Sequence, residues 1–209
     1  MANPLATLAK LHLTGLRVLL VFTVLCGIAY PLVIVGLSQA LLPGQANGSL
    51  VRQNGQAVGS GLIGQNFTLP ASGPSAAPQP DPKWFQPRPS AAGSSGYDAS
   101  ASGGSNLGPN DPGLLKSVQQ RRSAVAAFDG VDPAQVPPDA VTASGSGLDP
   151  AISPTYAYQQ VDRVAKARGL DPQRVHQLVA DHVEGRVLGF LGQQRVDVVT
   201  LNLALARLG

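Results

Sequence analysis

The hydrophobic pattern of this chain is dominated by one long apolar stretch near its N-terminus. No Asp, Glu, Lys or Arg lies between Arg17 and Arg52, and residues 18–42 are almost entirely apolar. About 20 such residues cross the core of a bilayer as a helix. A cleaved signal peptide is the alternative, because residues 38–40 have a small-x-small pattern. Signal peptides have shorter apolar regions, of about 7–15 residues, so the length favours a retained transmembrane helix over residues 18–41.

The charges around this helix predict its orientation. Lys10 and Arg17 precede it, and no charged residue follows it before Arg52. Because basic residues stay on the cytoplasmic side of a membrane, we expect residues 1–17 in the cytoplasm. Residues 42–209 are then extracytoplasmic, and the chain is a single-pass protein of the cell (inner) membrane.

Small residues recur at a spacing of four within the apolar stretch. Pro31 has no backbone N–H, so we expect a disturbed helix near Gly27. Small residues let transmembrane helices approach closely, which makes this face a candidate docking surface for another helix. A plain lipid-facing anchor is the alternative interpretation. The candidate docking residues are Thr23, Gly27, Pro31, Gly36 and Ala40.

Downstream, the pattern predicts one α+β domain. Asn54-Gly55, between two short extended runs, is typical of a β-hairpin over residues 50–58. Helices start where an Asp or Ser cap precedes proline. We expect them over residues 111–128, 153–169 and 171–185, with Val175 and Val183 on the same face of the third. A short strand and a last helix around residues 201–208 complete the α+β fold class.

A proline-rich stretch interrupts this domain at residues 68–83. It has few large apolar side chains, which predicts an exposed and mobile loop or insertion. Trp84 and Phe85 follow it and are expected to anchor it to the core. We therefore predict that residues 70–81 can be replaced without loss of function.

Composition excludes several classes of function. Charged residues make up 13% of the chain and the net charge is +3, with no basic cluster larger than Arg121-Arg122. Nucleic-acid binding needs a stronger basic surface. The single cysteine, Cys26, lies in the apolar stretch, so the domain has no disulfide. About 165 residues follow the helix, enough for one core.

The titratable residues do not form a recognisable catalytic or metal-binding pattern. Five of the Asp residues precede proline, where they cap helices and turns. His176 and His182 are six residues apart, which places them on different faces of a helix. We therefore predict no catalytic residue, no metal site and no directly bound cofactor.

Two loops rich in glycine and serine are the remaining candidate site. Such loops can form an anion-binding nest of backbone N–H groups or tight turns that join elements. We expect Gly145 and Gly147 to adopt backbone angles that favour glycine, and Asp149 to cap the residues after it. The candidate residues are Ser102, Gly103, Gly104, Asn106, Ser144, Gly145, Ser146, Gly147 and Asp149.

Taken together, the motifs of the chain resemble the C subunit of the Kdp-type potassium-transporting P-type ATPase. SGSGLDPxISP followed by HxEGR is the most specific combination. The matching segments, in the order of that family, are CGIAYP (26–31), GSGLIGQNF (59–67), WFQPRPSA (84–91), SGGSNLGP (102–109), VTASGSGLDPAISP (141–154), HVEGR (182–186) and LNLAL (201–205).

The resemblance implies a non-catalytic accessory subunit of an ATP-driven, high-affinity potassium uptake pump. Its implied partners are a channel-like potassium-binding subunit, a P-type ATP-hydrolysing subunit and a small membrane subunit. The family is described as an assembly factor, or catalytic chaperone, that raises the ATP affinity of the hydrolysing subunit. ATP and potassium are then used by the complex. The Gly-rich loops would serve subunit contact or nucleotide binding, and the predicted topology favours an indirect effect on ATP.

A second class of function stays open on the residues alone. A free-standing, membrane-anchored or secreted binding domain could use the Gly-rich loops as its ligand site. Co-purification with a polytopic membrane protein would separate the two classes.

Overall fold

The structure is a computed structural model that describes residues 4–70, 73 and 78–208. The chain divides into two compact units, Met1–Ser49 and Leu50–Gly209. The first contains the apolar helix and the second contains a mixed α+β domain, as the sequence predicted.

The first unit is one long helical stretch followed by a short turn of helix. Of the described residues, only Leu5–Leu41, 37 residues, is long and apolar enough to cross a membrane. At 1.5 Å per residue it measures about 55 Å, more than the roughly 30 Å of a hydrocarbon core. Its parts are α1 (Pro4–Phe22), a π-helical segment (Thr23–Ala29) and α2 (Tyr30–Leu41), and α3 (Pro43–Ala46) follows.

The π-helical segment is the local consequence of Pro31. Proline removes one donor from the helical hydrogen-bond ladder and its ring crowds the preceding turn. Directly before it, the Tyr30 N–H bonds to the Leu25 carbonyl, five residues back. The predicted disturbance near Gly27 is therefore present, and its form is a widened turn.

The second unit contains five α-helices, two short 3-10 helices (Pro133–Gln135 and Pro138–Ala140) and five short strands among its described residues. The strands and α-helices are β1 (Leu50–Gln53), β2 (Gln56–Ser60), α4 (Pro112–Asp129), β3 (Ala151–Ile152), α5 (Pro154–Gln159), α6 (Val161–Arg168), α7 (Pro172–Asp181), β4 (Val183–Glu184), β5 (Arg195–Asp197) and α8 (Val198–Leu205).

The strands form two small antiparallel sheets. β1 and β2 make the predicted hairpin, with Asn54 and Gly55 both at positive φ in its two-residue turn. The other sheet has the order β3-β5-β4, in which Val196 of the central strand pairs with both neighbours and is fully buried. This sheet forms part of the core.

Capping residues fix the starts of the helices as the sequence predicted. Asp111 accepts hydrogen bonds from the Gly113 and Leu114 N–H groups, and Ser153 accepts one from Tyr156. These bonds satisfy donors that a helix leaves free at its N-terminus. Gly130 ends α4 in the left-handed conformation.

Three predicted helix boundaries were wrong. The helix expected over residues 153–169 is broken at Gln160 into α5 and α6. The next ends at Asp181 because Val183 leaves it to pair with Val196 in the sheet. The last helix begins earlier than predicted, since Asp197 caps it by accepting from the Thr200 N–H at 2.8 Å.

Buried polar side chains hold the segment of residues 82–86 against the helices. Arg163 pairs with Asp129 at 2.8 Å and donates to the carbonyls of Pro82 and Trp84. The Asn202 amide bonds to both the N–H and the carbonyl of Phe85, which is fully buried. The prediction that this segment anchors the proline-rich loop to the core is confirmed.

Candidate functional site

The two Gly-rich loops meet in the folded domain. The Gly103 N–H donates to the Ser146 carbonyl at 2.8 Å, and the Ser102 hydroxyl donates to the same oxygen at 3.0 Å. We call the contact of residues 102–104 with residues 144–147 the loop joint. The loop joint contains seven of the predicted site residues, which come from two distant parts of the sequence. Asp149, an eighth predicted residue, lies beside it.

Glycine is needed at the loop joint because the backbones lie so close. A Cβ on Gly147 would stand 2.6 Å from the Gly103 carbonyl oxygen, and one on Gly104 would stand 3.0 Å from that of Gly145. Gly147 has φ +67°, which favours glycine as predicted. The same prediction for Gly145 was wrong: its φ lies outside the left-handed region and the space around its Cβ position is open.

Two further sequence motifs reach the second loop. The Ser90 hydroxyl donates to the Gly147 carbonyl at 2.6 Å and accepts from the Tyr97 N–H at 2.8 Å. From the other side, the Gly64 N–H donates to the Leu148 carbonyl at 2.9 Å. Residues 59–67 and 84–91 therefore converge on the loop joint.

Asp149 links these motifs through charge as well as hydrogen bonds. Its carboxylate pairs with the Arg88 guanidinium at 3.1 Å and accepts from the Ala151 N–H at 3.0 Å. The second bond confirms that Asp149 caps the residues after it. The Tyr97 hydroxyl donates to the Arg88 carbonyl at 2.9 Å, and burial, with the nearby Asp149 charge, raises the pKa of Tyr97.

Sequence reasoning missed Gly64, Arg88, Ser90 and Tyr97 as members of the site. The first three lie in motifs that carried the family resemblance, which is the signal that could have selected them. Tyr97 has no such signal, because its role depends on a φ of 57° and on contacts across the fold. Conversely, Asn106 is exposed beyond the loop joint, with φ 53°.

Much of the polar capacity of the loop joint is used within the protein. The Gly147 N–H bonds to the Ser144 carbonyl, and the Leu148 N–H bonds to the Ser146 hydroxyl oxygen at 3.1 Å. With the Gly103 N–H also engaged, these amides do not form an open nest. Arg88, a neighbouring basic group, is paired with Asp149. The geometry therefore favours tight turns that hold the fold.

A cleft of about 520 Å³ lies beside Ser90 and Arg88. Phe128 and Tyr156 provide aromatic surface, and Pro87 and Pro89 form part of a wall. Burial is also the main cause that raises the pKa of Tyr156. The lining combines apolar surface with serine, amide and arginine groups, a composition typical of small-molecule sites.

The two histidines of the domain have structural contacts. The His176 ring stacks on Tyr158 with centroids 4.5 Å apart, and the His182 Nδ1 is 2.8 Å from the Leu178 carbonyl. Within residues 4–70, 73 and 78–208, no three His, Cys, Asp or Glu side chains gather as metal ligands.

The predicted docking residues of the apolar helix are all exposed, so no other described residue of the first unit covers them. A Cβ on Gly27 would meet its nearest neighbour, the Thr23 Cγ2, at 3.9 Å, and one on Gly36 would meet nothing within 4 Å. Thr23 donates its hydroxyl proton to the Leu19 carbonyl at 2.8 Å. The surface is therefore small and open, and its role as a docking face stays a prediction.

Comparison with known proteins gives one consistent result along the chain. The model of the KdpC family, described as the c chain of the K+-transporting ATPase, matches residues 12–207. The chain is 54% identical over 205 residues to a potassium-transporting ATPase KdpC subunit of Kineococcus radiotolerans, covering 98% of this chain and 97% of that one. It is 47% identical over 218 residues to that of Streptomyces coelicolor, covering 100% and 97%.

Proposed function

Because the chain belongs to the KdpC family of K+-transporting ATPase subunits, we propose that it is a non-catalytic accessory subunit of a potassium uptake pump. One observation carries this proposal: a helix long enough to cross a membrane precedes a domain whose Gly-rich loops make their hydrogen bonds with one another and with neighbouring segments of the domain. A scaffold needs such internal bonding, whereas a catalytic or nucleotide loop leaves donors free for its ligand.

The partners proposed are the other chains of the same pump. They are a channel-like potassium-binding subunit, a P-type ATP-hydrolysing subunit and a small membrane subunit. The face formed by Thr23, Gly27, Pro31, Gly36 and Ala40 would pack against a transmembrane helix of one of them. Its open space supports this role, because a neighbouring helix could approach closely there.

The domain would lie outside the cell, with the N-terminus in the cytoplasm. Lys10 and Arg17 before the span support this orientation. In a Cys26→Ser background, exposed Lys116→Cys should react with a membrane-impermeant maleimide added to intact cells, and His12→Cys should not. Labelling at position 12 but not 116 would reverse the proposed topology.

The effect on ATP would then be indirect, through subunit contacts. A reconstituted pump lacking this chain should show weaker ATP affinity, and the isolated chain should not bind a labelled ATP analogue. Measuring the potassium and ATP affinities with and without the chain tests the proposal. Unchanged affinities and an unchanged amount of assembled pump would contradict it.

The cleft near Ser90 supports one alternative function. A free-standing binding domain would use such a cleft for a small ligand. Purification of the full chain in mild detergent separates the two proposals, because an accessory subunit brings the other pump chains with it. A chain that purifies alone from potassium-starved cells would favour the binding domain.

A further inference from the structure

The turn between β4 and β5 presents four large apolar side chains to solvent. Val187, Leu188, Phe190 and Leu191 are 63%, 80%, 68% and 50% exposed. We call residues 187–191 the apolar hairpin. The other exposed large apolar residues described in this domain occur one at a time along the sequence, such as Leu62 and Leu115 at 62% and 59%. A contiguous exposed apolar group of this kind marks an interaction surface.

Four backbone N–H groups of the apolar hairpin are hydrogen-bonded within the turn itself. Val187 and Leu191 exchange both hydrogen bonds of a pair, each at 3.0 Å. The Gly189 N–H donates to the Arg186 carbonyl, and the Phe190 N–H donates to that of Val187. These four N–H groups already have partners within the turn. The hairpin can therefore enter apolar surroundings without the cost of burying these four amides unpaired.

The shape of the hairpin is specific. Leu188 has φ 54°, in the left-handed region that large side chains rarely adopt, and Gly189 and Gly192 have φ 82° and 78°. A left-handed conformation at a non-glycine residue stores backbone strain. At its base, Val183 pairs with the buried Val196 of the core sheet. A strained turn on a fixed base suits a partner with a shaped pocket better than the fluid surface of a lipid bilayer.

The charges near the hairpin also favour a protein partner. Arg195 is paired with Glu184 at 2.8 Å. Arg186, next to the hairpin, is exposed and has no ion pair among the described residues. Segments that bind anionic lipid usually carry several basic residues. The surface is apolar at its centre, as is typical of an anchor at a protein interface.

We propose that the apolar hairpin inserts into an apolar pocket on another chain of the same ATPase. This inference rests on the proposed function, because that function supplies the partner. Leu188 and Phe190, the most exposed pair, are the anchors that fill the pocket. The hairpin therefore gives the domain a contact with the pump that is separate from the transmembrane face.

Site-specific photocrosslinking tests this contact in membranes that contain the whole pump. A benzoylphenylalanine at position 190 should form an adduct with one pump chain, identified by mass spectrometry, whereas the same probe at position 115, which is also exposed, should not. Adducts with lipid alone at position 190 would overturn the proposal in favour of a membrane-inserting turn. Equal adduct yields at both positions would overturn it as well.

A matched pair of double variants measures the importance of the anchors. Leu188→Ser/Phe190→Ser should lower the recovery of assembled pump about tenfold, as expected for loss of two central anchors, while Leu62→Ser/Leu115→Ser should not. Fluorescence of Trp84, the single tryptophan, should show unchanged unfolding, because the substituted side chains are exposed. Normal recovery of the first variant overturns this inference. Failure of the wild-type chain to co-purify with the pump would instead overturn the proposed function.

Discussion

At the scale of single residues, Gly147 has the tightest surroundings in the loop joint. Its Cβ position lies 2.6 Å from the Gly103 carbonyl oxygen and 2.8 Å from the Ala92 nitrogen, both backbone atoms. Backbone cannot move aside as a flexible side chain can. The position therefore couples two Gly-rich loops to the segment around Ala92.

Gly147→Val should destabilise the domain by about 3 kcal/mol, through left-handed strain and overpacking. Urea unfolding of the full chain in detergent, followed by Trp84 fluorescence, measures this loss. Gly145→Ala is the control and should change stability by less than about 0.5 kcal/mol, because its Cβ position is open. A smaller loss for Gly147→Val than for Gly145→Ala would contradict the packing of the loop joint.

Ser146→Ala tests whether the Ser146 hydroxyl takes part in a reaction or in ligand binding. The hydroxyl oxygen accepts the Leu148 N–H at 3.1 Å in an exposed turn, so its loss should cost about 0.5–1 kcal/mol. Transport should be retained, as we assign the hydroxyl no reaction. Abolished transport in an intact complex would indicate a ligand-binding role instead.

Asp197 makes stability depend on pH. Burial is the largest cause that raises the pKa of this carboxyl group, despite its hydrogen bonds from Thr200. Its stabilising contribution is therefore complete below the unfolded pKa and is lost as pH rises through the folded pKa. Asp197→Asn keeps the accepting oxygen without the charge. The stability of this variant relative to wild type should increase from pH 3.5 to pH 7, and a decrease would contradict the assignment.

At the scale of elements, the apolar helix combines a π-helical segment with a row of small residues. Tyr30 bonds to the Leu25 carbonyl across the wide turn before Pro31. The same segment contains Gly27, whose surroundings are open apart from Thr23. The helix thus tolerates larger side chains on this face by itself, and only a partner would reject them.

Gly27→Leu should lower the yield of the assembled pump because the added side chain keeps a neighbouring helix away. The yield after affinity purification is the measurement. Leu19→Ile is the control, since it keeps the helix apolar and adds no bulk. Equal yields for Gly27→Leu and Leu19→Ile would contradict a docking role for this face.

At the scale of the whole molecule, hydrogen bonds close the base of the proline-rich loop. The Leu69 N–H donates to the Gln79 carbonyl at 2.9 Å, and the Asp81 N–H donates to that of Phe67 at 3.0 Å. Asp81 also accepts the Lys83 N–H and, through its carbonyl, the Gln86 amide. The predicted replaceable region, residues 70–81, is therefore too wide at its C-terminal end. Its centre, residues 71, 72 and 74–77, lies outside the described residues.

Replacing residues 71–77 with a short Gly/Ser linker should leave unfolding and pump assembly unchanged, because the paired ends of the loop are kept. Extending the replacement to residue 81 should destabilise the domain by about 1–3 kcal/mol, since the bonds of Asp81 are lost. Urea unfolding and complex yield measure both. Loss of assembly with the shorter replacement would identify the loop as an interface.

The sequence by itself determined the features that depend on neighbouring residues. Uncharged residues predicted the apolar helix, Asn54-Gly55 predicted the hairpin, and Asp111 and Ser153 before prolines predicted helix starts. Each rests on backbone geometry or capping within a few positions. The motifs of the two Gly-rich loops were also recognisable, although not their contact.

Only the tertiary structure decided features that depend on distant partners. The helix breaks at Gln160, whose side chain bonds to the Gln86 N–H at 2.6 Å and to its carbonyl at 3.2 Å. Val183 leaves its predicted helix for a sheet partner thirteen residues away in sequence. Ser146 meets Gly103 across more than forty residues. These contacts form because the free energy of burial in a shared core outweighs the secondary-structure preference of the local sequence. The local sequence does not show which distant residue will pack against a given side chain.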